Sequence, residues 1–359
     1  MITLHGIQPT GLVSRQGRGE GSGKSTGSPS EQRPTRSTVA VAELRSYRVE
    51  DLPALAEAWN DCFADEPNFV RVDDSDLRRC AFGQASFDPA DVLVATAGSQ
   101  PVGFAHFGPR MGLWPESGKR EAGSEEGQIR ALVARESDGV VARELLEAAE
   151  ARLREAGARR FLIGPSWVQG AQFSYNGIAG AYEIPGVSPT REALMEAARE
   201  SGYEGAAEYG TPEVDFSDEE HLARLESMAR DLRERARKRG MERRLGIVES
   251  RYFPRRMLVE LHCGREVVAT TAYGPWAEYV GEYGRRLYGL TSVQVSPGWR
   301  GEGLGKLIVI EAMMAARDEG AEGAHLHVWR GNEPAWNLYH RALGFRPKCS
   351  WVTLEKKAG

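Results

Sequence analysis

The sequence predicts an α/β protein built from two tandem halves, on three observations. Strand and helix patterns alternate along the chain, the alternation is run through twice, and 359 residues suit two domains of about 150 residues each. Hydrophobic residues make up 41% and charged residues 27%, so the chain can bury cores. A formal net charge of -5 gives no overall attraction to nucleic acid, and polyanion binding would need a local patch. Cys62, Cys80, Cys263 and Cys349 are far apart and form no C-x-x-C pair, which argues against a disulfide scaffold or thiolate zinc and for a reducing, cytoplasmic setting. No uncharged apolar run approaches the roughly 18 residues of a membrane span, and no charged flank precedes an apolar leader. The expectation is a cytoplasmic protein with neither nucleic acid nor membrane as partner.

Residues 1–40 are rich in Gly, Ser, Thr, Arg and Pro and are expected to be a disordered tail, since they have too little apolar surface to offset ordering. Arg18-Gly-Glu-Gly-Ser-Gly-Lys-Ser-Thr26 imitates a phosphate loop, but Arg18 stands where G-x-x-x-x-G-K-[ST] needs its first glycine, and no strand feeds the segment. A first domain is expected over 41–216. It opens with a strand at 44–49, a helix at 51–63, and strands at 92–96, 102–106 and 128–133. A helix at 140–156 stopped by Gly157, a strand at 161–164 and a helix at 190–201 ended by Gly202 complete it.

A second domain is expected over 217–359. Ser217-Asp-Glu-Glu220 reads as a capping box opening an amphipathic helix at 218–239, with Leu222, Leu225, Ala229, Leu232 and Ala236 on one face and Gly240 as its stop. The other face carries seven basic residues between Arg224 and Arg239; it is read as a solvated helix end, with a polyanion or cofactor-phosphate patch as the alternative. Gly264-Arg265 turns a hairpin of 258–263 and 266–272; strand 290–295, helix 304–319, strand 324–328 and helix 333–343 follow. Gly157-Ala158 lies under Gly320-Ala321 at a shift of 163, and 193–203 under 335–345 at a shift of 142, so the first half holds about 21 more residues in its 167–189 loop. This is an internal duplication.

The chemistry-bearing segment is Val293-Gln-Val-Ser-Pro-Gly-Trp-Arg-Gly-Glu-Gly-Leu-Gly-Lys306. A strand ends near Val295, Ser296-Pro297 turns the chain, and Arg300-Gly-Glu-Gly-Leu-Gly305 runs into a helix. Gly301, Gly303 and Gly305 leave successive backbone amides and a positive helix end bare toward an anion. Asn332 and Tyr339, seven residues apart, share one face of the last helix; taken singly they also suit an N-cap and a half-buried aromatic.

The order strand, Arg-x-x-Gly-x-Gly, helix, strand, Asn-x-x-Ala-x-x-x-Tyr, Gly-Phe over 290–345 resembles the GNAT superfamily of N-acetyltransferases. The resemblance implies two tandem GNAT-like domains, each a mixed twisted sheet flanked by helices, with strands 290–295 and 324–328 splayed apart. It implies acetyl-CoA as cosubstrate, its pantetheine arm against Val293, Gln294 and Val295 and its pyrophosphate on Arg300, Gly301, Glu302, Gly303, Leu304, Gly305 and Lys306. By the same carry-over Asn332 contacts the cosubstrate arm and Tyr339 protonates the departing thiolate. The implied activity is acetyl transfer to a primary amine of a small molecule or peptide by direct attack in a ternary complex, by a monomer or homodimer.

Leu290-Thr-Ser-Val-Gln-Val295 contains no carboxylate to serve as base. An ordered water relay is ranked first, with Glu278, Glu282, His325 and His327 as other acceptors. Two histidines without a third ligand do not make a closed metal site, and no metal is expected. In the first half Ser137, Val140 and Ala142 stand under Arg300, Gly303 and Gly305, and Thr190 and Ala197 under Asn332 and Tyr339. That half is read as degenerate, structural or shaping the acceptor pocket through Trp167, Phe173, Tyr175, Asn176 and Tyr182. The rival readings are a non-catalytic acyl-CoA sensor or interaction module and a polyanion-binding regulator.

Overall fold

The computed structural model describes residues 43–66, 69, 71–84, 87–109, 125–135, 139–164, 175, 186–250, 253–275 and 286–357. The expected tail, Glu278, Glu282, Trp167, Phe173, Asn176 and Tyr182 lie outside them. The first half runs β1 (Glu43–Ser46), α1 (Leu52–Phe63), α2 (Asp74–Leu77), β2 (Val92–Ala97), β3 (Gln100–Pro109), β4 (Glu126–Ala134), α3 (Gly139–Glu155), β5 (Arg160–Ile163), α4 (Glu192–Glu200) and β6 (Glu204–Asp215). The second runs α5 (Glu219–Lys238), β7 (Met241–Ser250), β8 (Phe253–Cys263), β9 (Glu266–Pro275), β10 (Leu287–Val295), α6 (Leu304–Asp318), β11 (Gly323–His325), β12 (Val328–Trp329), α7 (Glu333–Asn337) and β13 (Arg346–Lys357).

The two halves have corresponding glycine turns. Gly157 and Gly320 end α3 and α6 with φ of 94° and 89°, and Gly202 and Gly344 follow the last helical segments with φ of 85° and 74°. These are left-handed positions that glycine adopts without a Cβ clash. The strands, however, do not form two separate sheets. They form one, in the order β1-β2-β3-β4-β5-β13-β6-β11-β10-β9-β8-β7, with β12 beside β6. The last strand of each half pairs with the other half: β13 runs antiparallel to β5, and β6 antiparallel to β11. β6 and β13 also pair with each other, so the backbone hydrogen bonds of each half close only in the presence of its neighbour.

Three of these strands, β6, β7 and β13, carry weak local signals. Glu204–Asp215 contains Gly205, Gly210 and Pro212, residues that β propensity disfavours, and β7 continues the basic run of α5. The α5 cap also differs from expectation. Asp218, not Ser217, caps it, its carboxylate accepting from the His221 N–H at 2.9 Å, while the Ser217 N–H, which the expected box would give to Glu220, is donated to Asp215 Oδ1 at 2.8 Å.

The first half is packed on both faces of its sheet. α1 and Trp59, Phe104 and Tyr175 fill one side, and α3 and α4 with Phe161 and Leu145 the other. In the second half α5, α6 and the terminal helical segment all join one core through Leu225, Ile308, Tyr339 and Phe345. Glu311 of α6, 1% exposed, is held by Arg233 and by Arg243, the latter at 2.6 Å. The basic run thus joins the core through Arg233, while Arg239 reaches Glu302 at 3.0 Å and Lys238 reaches Glu234 at 2.7 Å.

Candidate active site

β10 and β11 pair in parallel only from Leu287/Gly323 to Gly289/His325. Beyond that point β10 stays with β9 as far as Val295, whereas the other strand stays with β6, along which β11 and then Val328 and Trp329 pair. The two strands part there, and the expected strand at 324–328 is broken into β11 and β12. A bulge interrupts β10 between Thr291 and Gln294. Ser292 within it has φ 55°, the only positive-φ non-glycine residue among those described. Such bulges leave one residue out of the ladder and re-aim the strand, here beside the opening.

After Val295 a 3-10 turn at Pro297–Trp299 leads to the glycine-bearing segment. The Arg300 guanidinium donates to the Val295 carbonyl at 3.2 Å. The helix ladder at this end starts with the Leu307 N–H to the Gly303 carbonyl at 3.0 Å. None of the N–H groups from Gly301 to Lys306 donates to a described residue. They form the bare donor set of a helix start.

The three glycines do different things. Gly301 has φ 83° and open space around it, so it keeps the turn clear. Gly303 has φ 82°, and a Cβ there would meet Leu232 Cδ2 at 2.7 Å; it serves the backbone and the approach of α5 rather than a ligand. Gly305 has ordinary room for a Cβ, 3.5 Å from Leu338 Cδ2 and 3.7 Å from Val295 Cγ2, and so marks where the strand end, the helix start and the last helical segment converge. The side chain of Leu304 is 4% exposed in the core, which leaves only its backbone to the site, and Glu302 is turned to Arg239.

Asn332 caps α7, its Oδ1 accepting from the Ala335 N–H at 3.3 Å; the cap reading of this residue is realised, and its side-chain amide nitrogen is what remains for a ligand. The expected helix at 333–343 changes pitch after Asn337 into a π-turn over Leu338–Ala342, a departure that needs local compensation. The Leu343 N–H reaches the Leu338 carbonyl at 3.1 Å and the Phe345 N–H reaches Tyr339 at 3.0 Å. Tyr339 is 6% exposed and edge-on to Phe345, ring centroids 5.9 Å apart. Its hydroxyl hydrogen-bonds no described residue. Burial pushes the phenol above its ordinary value, so the proton stays on the oxygen at neutral pH.

His325 and His327 are neighbours, ring centroids 5.8 Å apart. Burial lowers His325 to about 3 and, with the charge of His325 as a smaller cause, holds His327 well below the ordinary histidine range. Both are therefore neutral at neutral pH. Thr211 of β6 bridges His327 Nδ1 at 2.7 Å and Trp351 Nε1 at 2.8 Å, and Glu213, 9% exposed, lies opposite His325 in register. Thr211, Glu213 and Trp351 escape sequence reasoning because they come from β6 and β13, whose place beside β11 follows only from the strand exchange. Among the described residues no three His, Cys, Asp or Glu side chains are grouped to hold a metal ion, and no helix is long and apolar enough to cross a membrane.

Residues 224–345 match the family described as Acetyltransferase (GNAT) family. No curated protein matches the chain. Among solved structures, a GCN5-related glucosamine N-acetyltransferase region of a fungal multi-domain GH3 beta-N-acetylglucosaminidase aligns with a TM-score of 0.61 at 17% identity. That alignment covers 88% of this chain and 38% of the fungal one, so this chain spans well under half of that protein. A tandem GNAT protein from the clavulanic acid biosynthesis pathway aligns with a TM-score of 0.55 at 14% identity, over 89% of this chain and 99% of that one. A GCN5-related N-acetyltransferase from Sphaerobacter thermophilus gives 0.53 at 14% identity, over 88% and 96%. Residues 224–345 are thus similar to the GNAT acetyltransferase family, and the chain as a whole is similar in fold to a tandem GNAT protein over most of its length.

Proposed function

We propose that the chain is an N-acetyltransferase that moves an acetyl group from acetyl-CoA to a primary amine of a small molecule or peptide, in a ternary complex, with the second half as the working site. The observation that carries this reading is the run of bare N–H groups from Gly301 to Lys306 directly after the point where β10 and β11 part. Those amides and the positive end of α6 fit a diphosphate, and Gly301 keeps the approach open. The edge of β10 from Val293 to Val295 fits the amide-bearing arm, and the Asn332 side-chain amide is free to donate to it. Acetyl-CoA supplies an activated thioester carbonyl. The bulge at Ser292 re-aims β10 beside this opening, where a strand N–H would meet the oxyanion that develops.

Tyr339 holds its proton at Oη, ready for the leaving sulfur. A phenol raised by burial gives up that proton reluctantly, so its contribution belongs at the lower end of the general-acid range, about 10²-fold. The proton of the amine leaves through ordered water, since His325 and His327 are weak bases. Titration calorimetry with coenzyme A, followed by thiol release from acetyl-CoA across small amines, aminosugars and peptides, tests the reading. Heat with coenzyme A and amine-dependent thiol release are expected; no heat overturns it, and heat without release with any amine favours a sensor.

A further inference from the structure

β4 and β5 also pair in parallel and part, after Ile129/Ile163. At that point the first half contains a cavity of roughly 50 Å³ lined by Trp59, Phe63, Leu194, Trp351 and Arg191 among others. Several waters would fit, since one needs about 10–15 Å³ in this measure. Arg191 is 7% exposed. A guanidinium has five N–H donors, yet among the described residues this one reaches only the carbonyls of Leu132 at 3.4 Å and Ala134 at 3.5 Å, and its Nε meets no described acceptor. Its plane sits over the Phe63 ring at 4.8 Å. No described carboxylate lies within 4.0 Å of it. The neighbouring Arg130, by contrast, is matched by Asp91 at 3.6 Å. A buried cation without a counter-charge is costly unless something pairs with it.

We infer that this cavity binds a short monocarboxylate of acetate to propionate size, its carboxylate on Arg191 and its alkyl end against Trp59 and Trp351. The apolar walls and a single unmatched cation suit one negative charge and a short hydrocarbon, whereas a phosphate dianion would be left half neutralised. α4 begins at Glu192, with Arg191 at its cap, so the positive end of the helix adds to the preference. The inference does not depend on acetyl transfer in the second half.

Saturation-transfer NMR and calorimetry on the full chain, with propionate, propionamide and inorganic phosphate as probes, test it. Propionate is expected to bind and the uncharged, equally sized propionamide is not. Arg191→Gln should weaken propionate by about tenfold or more, the worth of a charge-assisted pair, with the heat of coenzyme A binding unchanged. Leu194→Phe, which fills the cavity and keeps the arginine, should also abolish propionate binding and covers the case in which Arg191→Gln does not fold. No propionate binding, equal binding of propionamide, preference for phosphate, or undiminished binding in either folded variant overturns the assignment.

Discussion

The two halves differ most where a parallel strand hands over to its helix. From Glu126 to its partner Arg160 the first half uses 34 residues, whereas the second uses 36 from Leu287 to Gly323. Helices α3 and α6 end at matching positions, Glu155 and Asp318, but α3 begins at Gly139 and α6 only at Leu304. The first half thus spends in helix what the second spends in a left-handed turn, and Val140, which stands under Gly303, is already inside α3. Both helix starts leave first-turn amides outside the ladder; what differs is that the Val140 side chain stands in the first half where the second has the left-handed Gly303. The difference also reaches the openings: the first is a partly open cavity lined by Trp59 of α1 and by Trp351, while the described helices of the second half join one core.

The largest test separates the halves. A fragment of 41–216 keeps β6 but loses β13, β11 and β12, its three partners, so it should fail to fold, with circular dichroism showing little native helix and strand; a folded fragment would mean that the exchanged strands are dispensable. Next in size, Tyr339→Phe should lower turnover by about 10²-fold with coenzyme A affinity unchanged, and unchanged turnover with chemistry rate-limiting removes the acid role. Glu311→Gln, which leaves Arg233 and Arg243 without their buried acid, should cost about 2 kcal/mol, below the 3–5 typical of fully buried pairs because both arginines are half exposed; denaturant unfolding measures it.

The smallest effect is a slope. His325 is neutral in the fold at about 3 against an ordinary 6.5, so the unfolded chain binds more protons and stability is lost as pH falls from 6.5 toward 3. Each such histidine contributes about 1.4 kcal/mol per pH unit in that window. His106 in the first half, fully buried and lowered by burial and then by Arg130, should behave alike. His325→Gln is expected to flatten the slope of stability between pH 6 and 4 by about one histidine's share; an unaltered slope would show that His325 is protonated in the folded state.

Periodicity and punctuation made most helices and the hairpin strands legible, because α3, α5 and α6 have apolar stripes and glycine stops that act within a few residues. The donor turn at Gly301–Lys306 and Tyr339 were legible for the same reason: the chemistry lies within one local segment. β6 and β13 were not, since glycine, proline and charged residues in them become strands only by pairing across the halves. With them went Thr211, Glu213 and Trp351, and the weak basicity of His325 and His327, which is a property of surroundings assembled from distant segments.

By itself the sequence determined the α/β class, the doubling, and the bare helix start of the second half, all of which follow from residue spacing and backbone preference. Only the tertiary structure decided that the doubled units share one sheet by exchanging their last strands, that Gly303 makes room for α5, and that Arg191 is buried with no described carboxylate within 4.0 Å. Those outcomes depend on which distant surfaces meet, and pairing and burial energies are set by the partner rather than by the segment.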